Sequence, residues 1–241
     1  NVNCFGASTG SVSLVVNGGT PNYTFAWSGT GAGTNPRTGL AAGNYTVTVT
    51  DGNLCTATLQ VAVTQNTQIA ATSSITNVSC NGGNKGSIAL NVNGGNGTYT
   101  YNWSGTGTGG NPRTGLTAGT YNVTVSDGLG CQVPYTFSVT QPAALTLNST
   151  VISSPLCNGD NSGSIDLTVN GGTAPYLYVW SNGAGTQDIN QLIAGTYSVT
   201  VTDDKGCTAI TSRLVTQPAL IQLSATKVDV ACGGGTTGST D

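Results

Sequence analysis

Seven cysteines at regular spacing are the residues of this 241-residue sequence best suited to chemistry. They form two series with intervals of 75 to 77 residues: Cys4, Cys80, Cys157 and Cys232, and Cys55, Cys131 and Cys207. Cys4, Cys80 and Cys157 are each followed, 50 or 51 residues later, by a cysteine of the second series. The spacing favours one disulfide per repeat over free thiols: Cys4 with Cys55, Cys80 with Cys131 and Cys157 with Cys207, while Cys232 stays unpaired in this sequence.

Such disulfides indicate an oxidising compartment outside the cytoplasm. Zinc is the alternative use of paired thiols, but two thiols per repeat cannot supply four ligands when the sequence contains no histidine. We therefore expect no metal and no cofactor.

The absence of histidine also removes the common catalytic arrangements, because neither a nucleophile paired with imidazole nor a base that titrates near neutrality can be assembled. Asp51, Asp127 and Asp203 recur just before the second-series cysteines, in Asp-Gly and Asp-Asp contexts that are typical of turns. A structural role in those turns is favoured over catalysis. The sequence predicts a protein that is not an enzyme.

One segment, residues 158–163, has oxygen-bearing side chains at alternate positions followed by glycine, as calcium loops do. Its equivalent, residues 81–86, lacks the central ligand that Asp160 would provide and contains Lys85 instead. Because calcium requires several anionic oxygens, a structural turn is favoured at Asp160 over a calcium site.

Three tryptophans keep the repeat period, and the loop after the first two carries a recurring arginine, Arg37 or Arg113. A surface loop that recognises a ligand is one interpretation, because loops often carry binding residues. Packing of the loop against its own sheet or the adjacent repeat is favoured. Alternation of apolar and polar residues places six aromatic residues in the cores rather than on a sugar-stacking surface: Trp27, Trp103, Trp180, Tyr45, Tyr121 and Tyr197.

The charge content excludes two classes of partner. Six Lys and Arg and nine Asp give a net charge of −3, and the basic residues are scattered singly, so no nucleic-acid surface is expected. No apolar run approaches the length of about 18 residues that suggests a membrane span, so no membrane insertion is expected.

A repeat of about 76 residues organises the chain, and it is long enough for each unit to close its own core. The Thr-Gln motifs at residues 64–65, 140–141 and 216–217 mark the boundaries. We predict a repeat without its first strand at 1–65, complete repeats at 66–141 and 142–217, and the start of a fourth at 218–241. Both ends then fall inside a repeat, as in a window on a longer protein.

Short connections between repeats predict an elongated rod. Strands of six to nine residues, plus loops, advance the axis by roughly 30 to 40 Å per repeat. Small-angle scattering from three complete repeats should give a maximum dimension of about 100 Å on that basis. A compact profile would contradict the rod.

Period-two alternation recurs in register within each repeat, as in Tyr121, Val123 and Val125, and no helical period is present. Short strands separated by Gly, Asn and Asp turns predict an all-β, antiparallel, immunoglobulin-like sandwich. In the last strand of the third repeat, Thr211 and Arg213 stand at positions that are apolar in the first repeat. This predicts either a register shift or a bulge.

The motifs resemble the SprB repeat of giant cell-surface adhesins of gliding Bacteroidota. In the second repeat they are Cys80 with the following Asn-Gly-Gly, the pair at 94–95, Tyr-x-Trp-Ser at 101–104, Ala-Gly-x-Tyr at 118–121 and Asp-x-x-x-Cys at 127–131. The resemblance implies a secreted surface filament, exported by type IX secretion and moved by the gliding machinery, which would be its partners. It implies no catalytic residue.

Together these features predict an extracellular structural stalk of tandem repeats from a bacterial surface adhesin. Its expected partners are neighbouring repeats of the same chain and an extracellular surface or polysaccharide. Two alternatives stay open at this point: a module that binds glycans through the loops after the tryptophans, and a linker array of a secreted hydrolase.

Overall fold

The computed structural model describes residues 1–29, 33–105, 110–228 and 239–240, and Cys232 lies outside them. All regular structure in this part of the chain is β-strand, and the larger sheets are antiparallel, which confirms the predicted fold class. The chain divides into two compact units, residues 1–78 with 82–141, and residues 79–81 with 142–241.

The first repeat has five strands: β1 (Gly10–Val12), β2 (Thr24–Trp27), β3 (Arg37–Leu40), β4 (Gly43–Thr50) and β5 (Thr56–Val63). They form a two-stranded sheet, β1–β3, and a three-stranded sheet in the order β2–β4–β5. The first sheet has one strand fewer than its equivalents in the later repeats.

The second repeat has six strands: β6 (Ala70–Thr76), β7 (Gly86–Asn93), β8 (Tyr99–Trp103), β9 (Arg113–Leu116), β10 (Gly119–Asp127) and β11 (Gln132–Val139). The third repeat has the same six: β12 (Thr146–Ser153), β13 (Gly163–Asn170), β14 (Tyr176–Trp180), β15 (Ile189–Leu192), β16 (Gly195–Asp203) and β17 (Thr208–Val215). Their sheets are β6–β7–β9 with β8–β10–β11, and β12–β13–β15 with β14–β16–β17. A short pair, β18 (Lys227–Val228) and β19 (Ser239–Thr240), follows.

Each repeat has its own apolar core between its two sheets, because alternate side chains of a strand point to the same face. In β10, Val123 and Val125 are buried while the intervening Thr124 is only half-buried. The three buried clusters lie within residues 2–63, 69–139 and 165–215. Trp27, Trp103 and Trp180 are buried members of these clusters, and Tyr45, Tyr121 and Tyr197 are half-buried against them.

The three tyrosines close the turn that precedes the central strand of the second sheet. The hydroxyl of Tyr121 donates a hydrogen bond to the carbonyl of Thr117, four residues earlier, at 2.9 Å, and Tyr45 and Tyr197 make the same bond. This is the arrangement of the tyrosine corner in immunoglobulin-like sandwiches. It explains why Ala-Gly-x-Tyr recurs in the repeats.

The last strand of the third repeat keeps its register, so the predicted shift or bulge is wrong. Thr211 lies opposite Val199 and Arg213 opposite Tyr197, without interruption of the ladder. The guanidinium Nε of Arg213 donates to the carbonyl and to the Oγ of buried Ser149. Hydrogen bonding at this position replaces the apolar contact that the other repeats use.

Candidate functional site: the disulfide-bonded junction

The two cysteines of one repeat lie at opposite ends of it. The residues flanking Cys4 are bound to the end of β5, because the Val2 amide donates to the Thr64 carbonyl and the Gly6 amide to Oε1 of Gln65, both at 2.8 Å. Cys55 directly precedes the start of β5. Eight residues of strand separate the two positions by roughly 26 Å, far beyond the reach of a disulfide.

The disulfides join successive repeats instead. Cys4 is bonded to Cys131 and Cys80 to Cys207, with Cα–Cα distances of 5.4 and 5.6 Å and a sequence separation of 127 residues in each case. The predicted pairing within each repeat, Cys4 with Cys55, Cys80 with Cys131 and Cys157 with Cys207, is therefore wrong. Cys55 and Cys157 are exposed free thiols.

The Cys4–Cys131 bond lies in a cleft at the junction of the first two repeats. The carbonyl of Asn3 accepts a hydrogen bond from the side-chain amide of Asn66 at 3.2 Å and lies 3.4 Å from Sγ of Cys131. Beside it is a cavity of about 380 Å³ lined by both cysteines, Phe5, Asn66 and Asp127. In the second bond, Sγ of Cys207 lies 3.4 Å from the carbonyl of Ser79, so the contact recurs one repeat later.

An aspartate positions each second-series cysteine. Oδ1 of Asp127 accepts the amides of Leu129 and Cys131 at 3.0 and 2.9 Å, while Oδ2 accepts the amide of Asn96 at 3.2 Å. One carboxylate thus connects the turn carrying the cysteine to the glycine turn after β7. Asp51 and Asp203 make the equivalent three bonds.

These amides lower the pKa of two of the carboxyl groups. At Asp51 the amide of Thr20 contributes most, followed by that of Cys55. At Asp203 burial acts in the opposite direction, but the amides of Cys207, Thr173 and Lys205 together outweigh it, and the pKa is lowered. A carboxylate held by three donors is a turn anchor, since its charge is already stabilised and its lone pairs are engaged.

Acid should loosen the turn at Cys207. Because the pKa of Asp203 is lower when folded than when unfolded, its contribution to stability is present above about pH 4 and is lost as the pH falls through the folded value. We expect the amide protection factor of Cys207 to decrease on acidification below about pH 4. Asp203→Asn should lower that protection at neutral pH and remove most of its dependence on pH. An unchanged pH profile in the variant would contradict this.

Neither Arg37 nor Arg113 presents its guanidinium at the surface, which agrees with the favoured interpretation, packing of the loop within its repeat, and not with a surface recognition role. Arg113 is buried between the rings of Trp103 and Tyr121, 5.2 and 5.5 Å from their centroids, and its Nη1 donates to the carbonyl of Ser104. Arg37 has the same environment in the first repeat. Residues 30–32 and 106–109 of these loops lie outside the described residues.

Sequence reasoning missed the asparagine that precedes this arginine. Oδ1 and Nδ2 of Asn111 bond the amide and carbonyl of Leu90, each at 2.7 Å, so the side chain acts as a strand partner for β7. Asn35 does the same for Leu14. In the third repeat the Leu167 amide donates to Oδ1 of Asp188, and Nε2 of Gln187 donates to the Leu167 carbonyl. The recurrence of Asn-Pro-Arg-Thr at 35–38 and 111–114 was the available signal.

No group of three or more acidic, cysteine or histidine side chains suited to a metal is present among the described residues. At the suspected calcium turn, both carboxylate oxygens of Asp160 accept hydrogen bonds from their own turn, from Ser162 Oγ at 2.6 Å and the Asn161 amide at 2.8 Å. The hydroxyl of Ser162 is the main cause that lowers the pKa of Asp160. In the described part of the chain, no helix is long and apolar enough to span a membrane.

Comparison with protein families confirms the resemblance in three segments. Residues 1–32, 72–108 and 149–185 match the model of the SprB repeat. No curated protein matches the sequence significantly.

Several solved structures are similar to the chain. They include the eight N-terminal Ig domains of Down Syndrome Cell Adhesion Molecule (13% identity, 90% of this chain, 34% of that chain, TM-score 0.35). Three N-terminal domains of the Hoc outer capsid protein of bacteriophage RB49 also match (14% identity, 91% of this chain, 97% of that chain, TM-score 0.39). Immunoglobulin domains 1–5 of Sidekick-1 are a third similar structure (13% identity, 90% of this chain, 57% of that chain, TM-score 0.33). The chain spans about a third of the first structure's length.

Proposed function

We propose that this chain is a segment of a structural stalk in a large bacterial cell-surface adhesin. The three SprB repeat matches suggest a repeat region of a large cell-surface protein. The observation that carries the stalk proposal is the pairing of cysteines between successive repeats. A protein that only displays separate domains has no need of covalent bonds from one domain to the next.

The pairing gives the chain two covalent connections where neighbouring repeats meet. Residues 4–131 lie inside one disulfide loop and residues 80–207 inside the other, so residues 80–131 belong to both. A peptide bond broken between Cys4 and Cys131 leaves the flanking parts joined through sulfur. A stalk exposed to shear and to extracellular proteases gains continuity from this arrangement.

The chemistry of the described residues supports a structural role. The chain has no histidine, and each aspartate that recurs with the repeat is engaged by amides of its own turns. The recurring arginines are buried against aromatic rings. These groups stabilise the sandwich and the cysteine turns.

The family resemblance extends the proposal to the location and export of the whole protein. Structural disulfides fit an oxidising extracellular environment. Secretion by the type IX system and movement by the gliding machinery of a member of the Bacteroidota follow from the resemblance to SprB repeats alone. The adhesive contact, to an extracellular surface or polysaccharide, belongs in this proposal to other parts of the protein.

A glycan array probed with the oxidised 241-residue chain separates the stalk from a glycan-binding module. The stalk proposal predicts no binding above that of a chain unfolded by denaturant and reduction together. Saturable binding of the folded chain to a defined sugar, abolished by substitutions in the loops at 28–36 or 104–112, would overturn it in favour of recognition.

A further inference from the structure

The outer face of the second sheet is apolar in the third repeat. Leu177 and Val179 of β14 and Ile210 and Leu214 of β17 point away from the core, and they are 56 to 71% exposed. All four lie on one face of a single three-stranded sheet. Apolar residues scattered singly over a surface need no explanation, whereas a group of them on one face marks an interaction surface.

The four side chains form two ridges with a furrow between them. β16 lies between β14 and β17, and on this face it presents only threonine and serine. Thr200, on the floor of the furrow, lies opposite Val179 on one side and Ile210 on the other. Because neighbouring strands are about 4.8 Å apart, the two ridges are separated by about 10 Å.

The other two repeats have no such ridges. The strand register assigns the equivalent positions. Where the third repeat has Val179 and Ile210, the others have small residues, polar residues or proline: Ala26 and Thr58, and Asn102 and Pro134. The sandwich therefore folds without apolar residues on this face, and their presence in the third repeat needs a reason outside that repeat.

A following repeat leaves this face open. The first and second repeats lie in one compact unit. Even so, the equivalent face of the first repeat is uncovered, since Ala26, Thr58 and Ala62 are exposed. The occupant of the apolar face is therefore sought in another molecule.

The outward positions of the three strands carry no charge. Arg213 of β17 extends to the opposite side, where it bonds Ser149. In the turn after β16, Asp204 and Lys205 are paired with each other at 3.0 Å. A charged partner surface would lose its water here without gaining an opposite charge, so the face fits an uncharged surface. In a chain of net charge −3, two copies can meet at this face without repulsion between facing charges.

We propose that this face binds the same face of a second copy of the chain. Packed sheets interdigitate their side chains at a separation of about 10 Å, and a twofold contact uses the same surface on both copies. The ridge of Ile210 and Leu214 on each copy lies in the furrow of the other. There it packs against the threonines of the opposite β16 and beside the opposite ridge of Leu177 and Val179.

The size of the face predicts a weak contact. Three strands of at most about eight residues cover about 14 by 26 Å, or about 360 Å² on each copy. Interfaces that bury about 1,600 Å² in total range from micromolar to picomolar affinity, so this smaller contact should be weaker than micromolar. In the stalk proposed above, it joins stalks side by side, where a shared cell surface raises their local concentration. A single chain in solution shows the contact whether or not the stalk proposal holds.

The test is the concentration dependence of backbone amide signals in ¹H–¹⁵N spectra of the oxidised 241-residue chain, with its remaining thiols alkylated. Between about 0.05 and 2 mM, a range suited to weak association, the signals of β14, β16 and β17 should shift progressively. The signals of β2, β4 and β5 in the first repeat should stay constant.

Ile210→Lys should raise the dissociation constant by at least about tenfold, because it places an unpaired charge in each furrow. Leu214→Lys, on the same ridge, should act in the same direction. The matched control is Thr58→Lys, which adds the same charge at the equivalent position of the first repeat and should leave association unchanged. All three replaced side chains are exposed, so the variants should fold, and the spectra at low concentration show whether they do.

Constant signals of the face over the whole concentration range would overturn the proposal, as would equal responses of Ile210→Lys and Thr58→Lys. Signals that respond to added dextran but not to protein concentration would also overturn it, because the occupant would then be a polysaccharide.

Discussion

Pulled from its two ends with both disulfides intact, the chain should extend to about 320 Å, against about 860 Å after reduction. The free thiols are alkylated first, so that no new bond forms during the experiment. The difference of about 540 Å comes entirely from the part of the chain that the disulfides shield from load.

The shortest covalent path decides the oxidised length. From Asn1 the load reaches Cys4, crosses to Cys131, returns along the chain to Cys80, crosses to Cys207 and continues to Asp241. That path contains about 88 residues, each extending by at most about 3.6 Å. Residues 80–131, which include the core strands of the second repeat, are therefore the internal segment that bears the load.

Single substitutions distinguish this path from one with disulfides inside each repeat. Cys55→Ser should leave the oxidised length unchanged, because Cys55 is free. If Cys55 were bonded to Cys4, the same variant would extend to about 500 Å. Cys131→Ser should extend to about 410 Å, since only the bond between Cys80 and Cys207 remains. An increase for Cys55→Ser would refute the pairing between repeats.

Trp103→Ala should destabilise the second repeat by about 3–5 kcal/mol, the usual loss for a large buried aromatic side chain. The indole is 5% exposed and its Nε1 donates to the carbonyl of Gly110 at 2.9 Å. It also covers one face of the buried guanidinium of Arg113. The measurement is amide exchange at Val123 and Val125, which reports opening of that core alone.

Trp180→Ala in the third repeat is the matched control. Trp180 is equally buried and donates to the carbonyl of Thr186 at 2.9 Å, but the position equivalent to Arg113 is the buried Ile189. The loss should therefore be smaller for Trp180, by the cation–π contribution of about 1–2 kcal/mol. Equal losses would show that the ring contacts of Arg113 add nothing to stability.

The strands could be predicted from the sequence because a strand that buries one face must have an apolar residue at every second position. Tyr121, Val123 and Val125 had to share a face of β10, and Asp127 had to end that strand in a turn. The exception was β17, where Thr211 and Arg213 break the pattern. There Arg213 reaches across to Ser149, a contact between strands distant in sequence that no local pattern reveals.

The cysteine pairing could not be read from spacing, because loop length does not tell at which end of a sandwich a residue lies. Following the strands would have given the answer. The end of β7 lies beside the start of β8, because a short turn connects them. The antiparallel pairing of β8 with β10 and of β10 with β11 places the starts of β8 and β11 at the same end of the sandwich. Cys131, which precedes β11, therefore lies where β7 ends. Cys80 precedes the start of β7 and lies at the other end. Only pairing between repeats brings cysteines of the two series together.

For the arginines, packing was the favoured interpretation, but the aromatic partners of each guanidinium could not be predicted. A cation in a long loop suggests a surface role, but the planar guanidinium can lie between two aromatic rings and still donate to a backbone carbonyl. The third repeat carried the relevant signal, because a buried isoleucine stands where the other repeats have arginine.

Cleavage of the chain at a single methionine tests the pairing between repeats most directly. The chain has no methionine, so Gln68→Met, at an exposed position between the first two repeats, creates one internal site for cyanogen bromide. Under denaturing, non-reducing conditions the cleaved chain should keep its full mass, because Cys4–Cys131 joins the two fragments, and it should separate on reduction. Gln222→Met is the control and should release a short fragment without reductant, since it lies outside both disulfide loops. Separation of the Gln68→Met fragments before reduction would contradict the account.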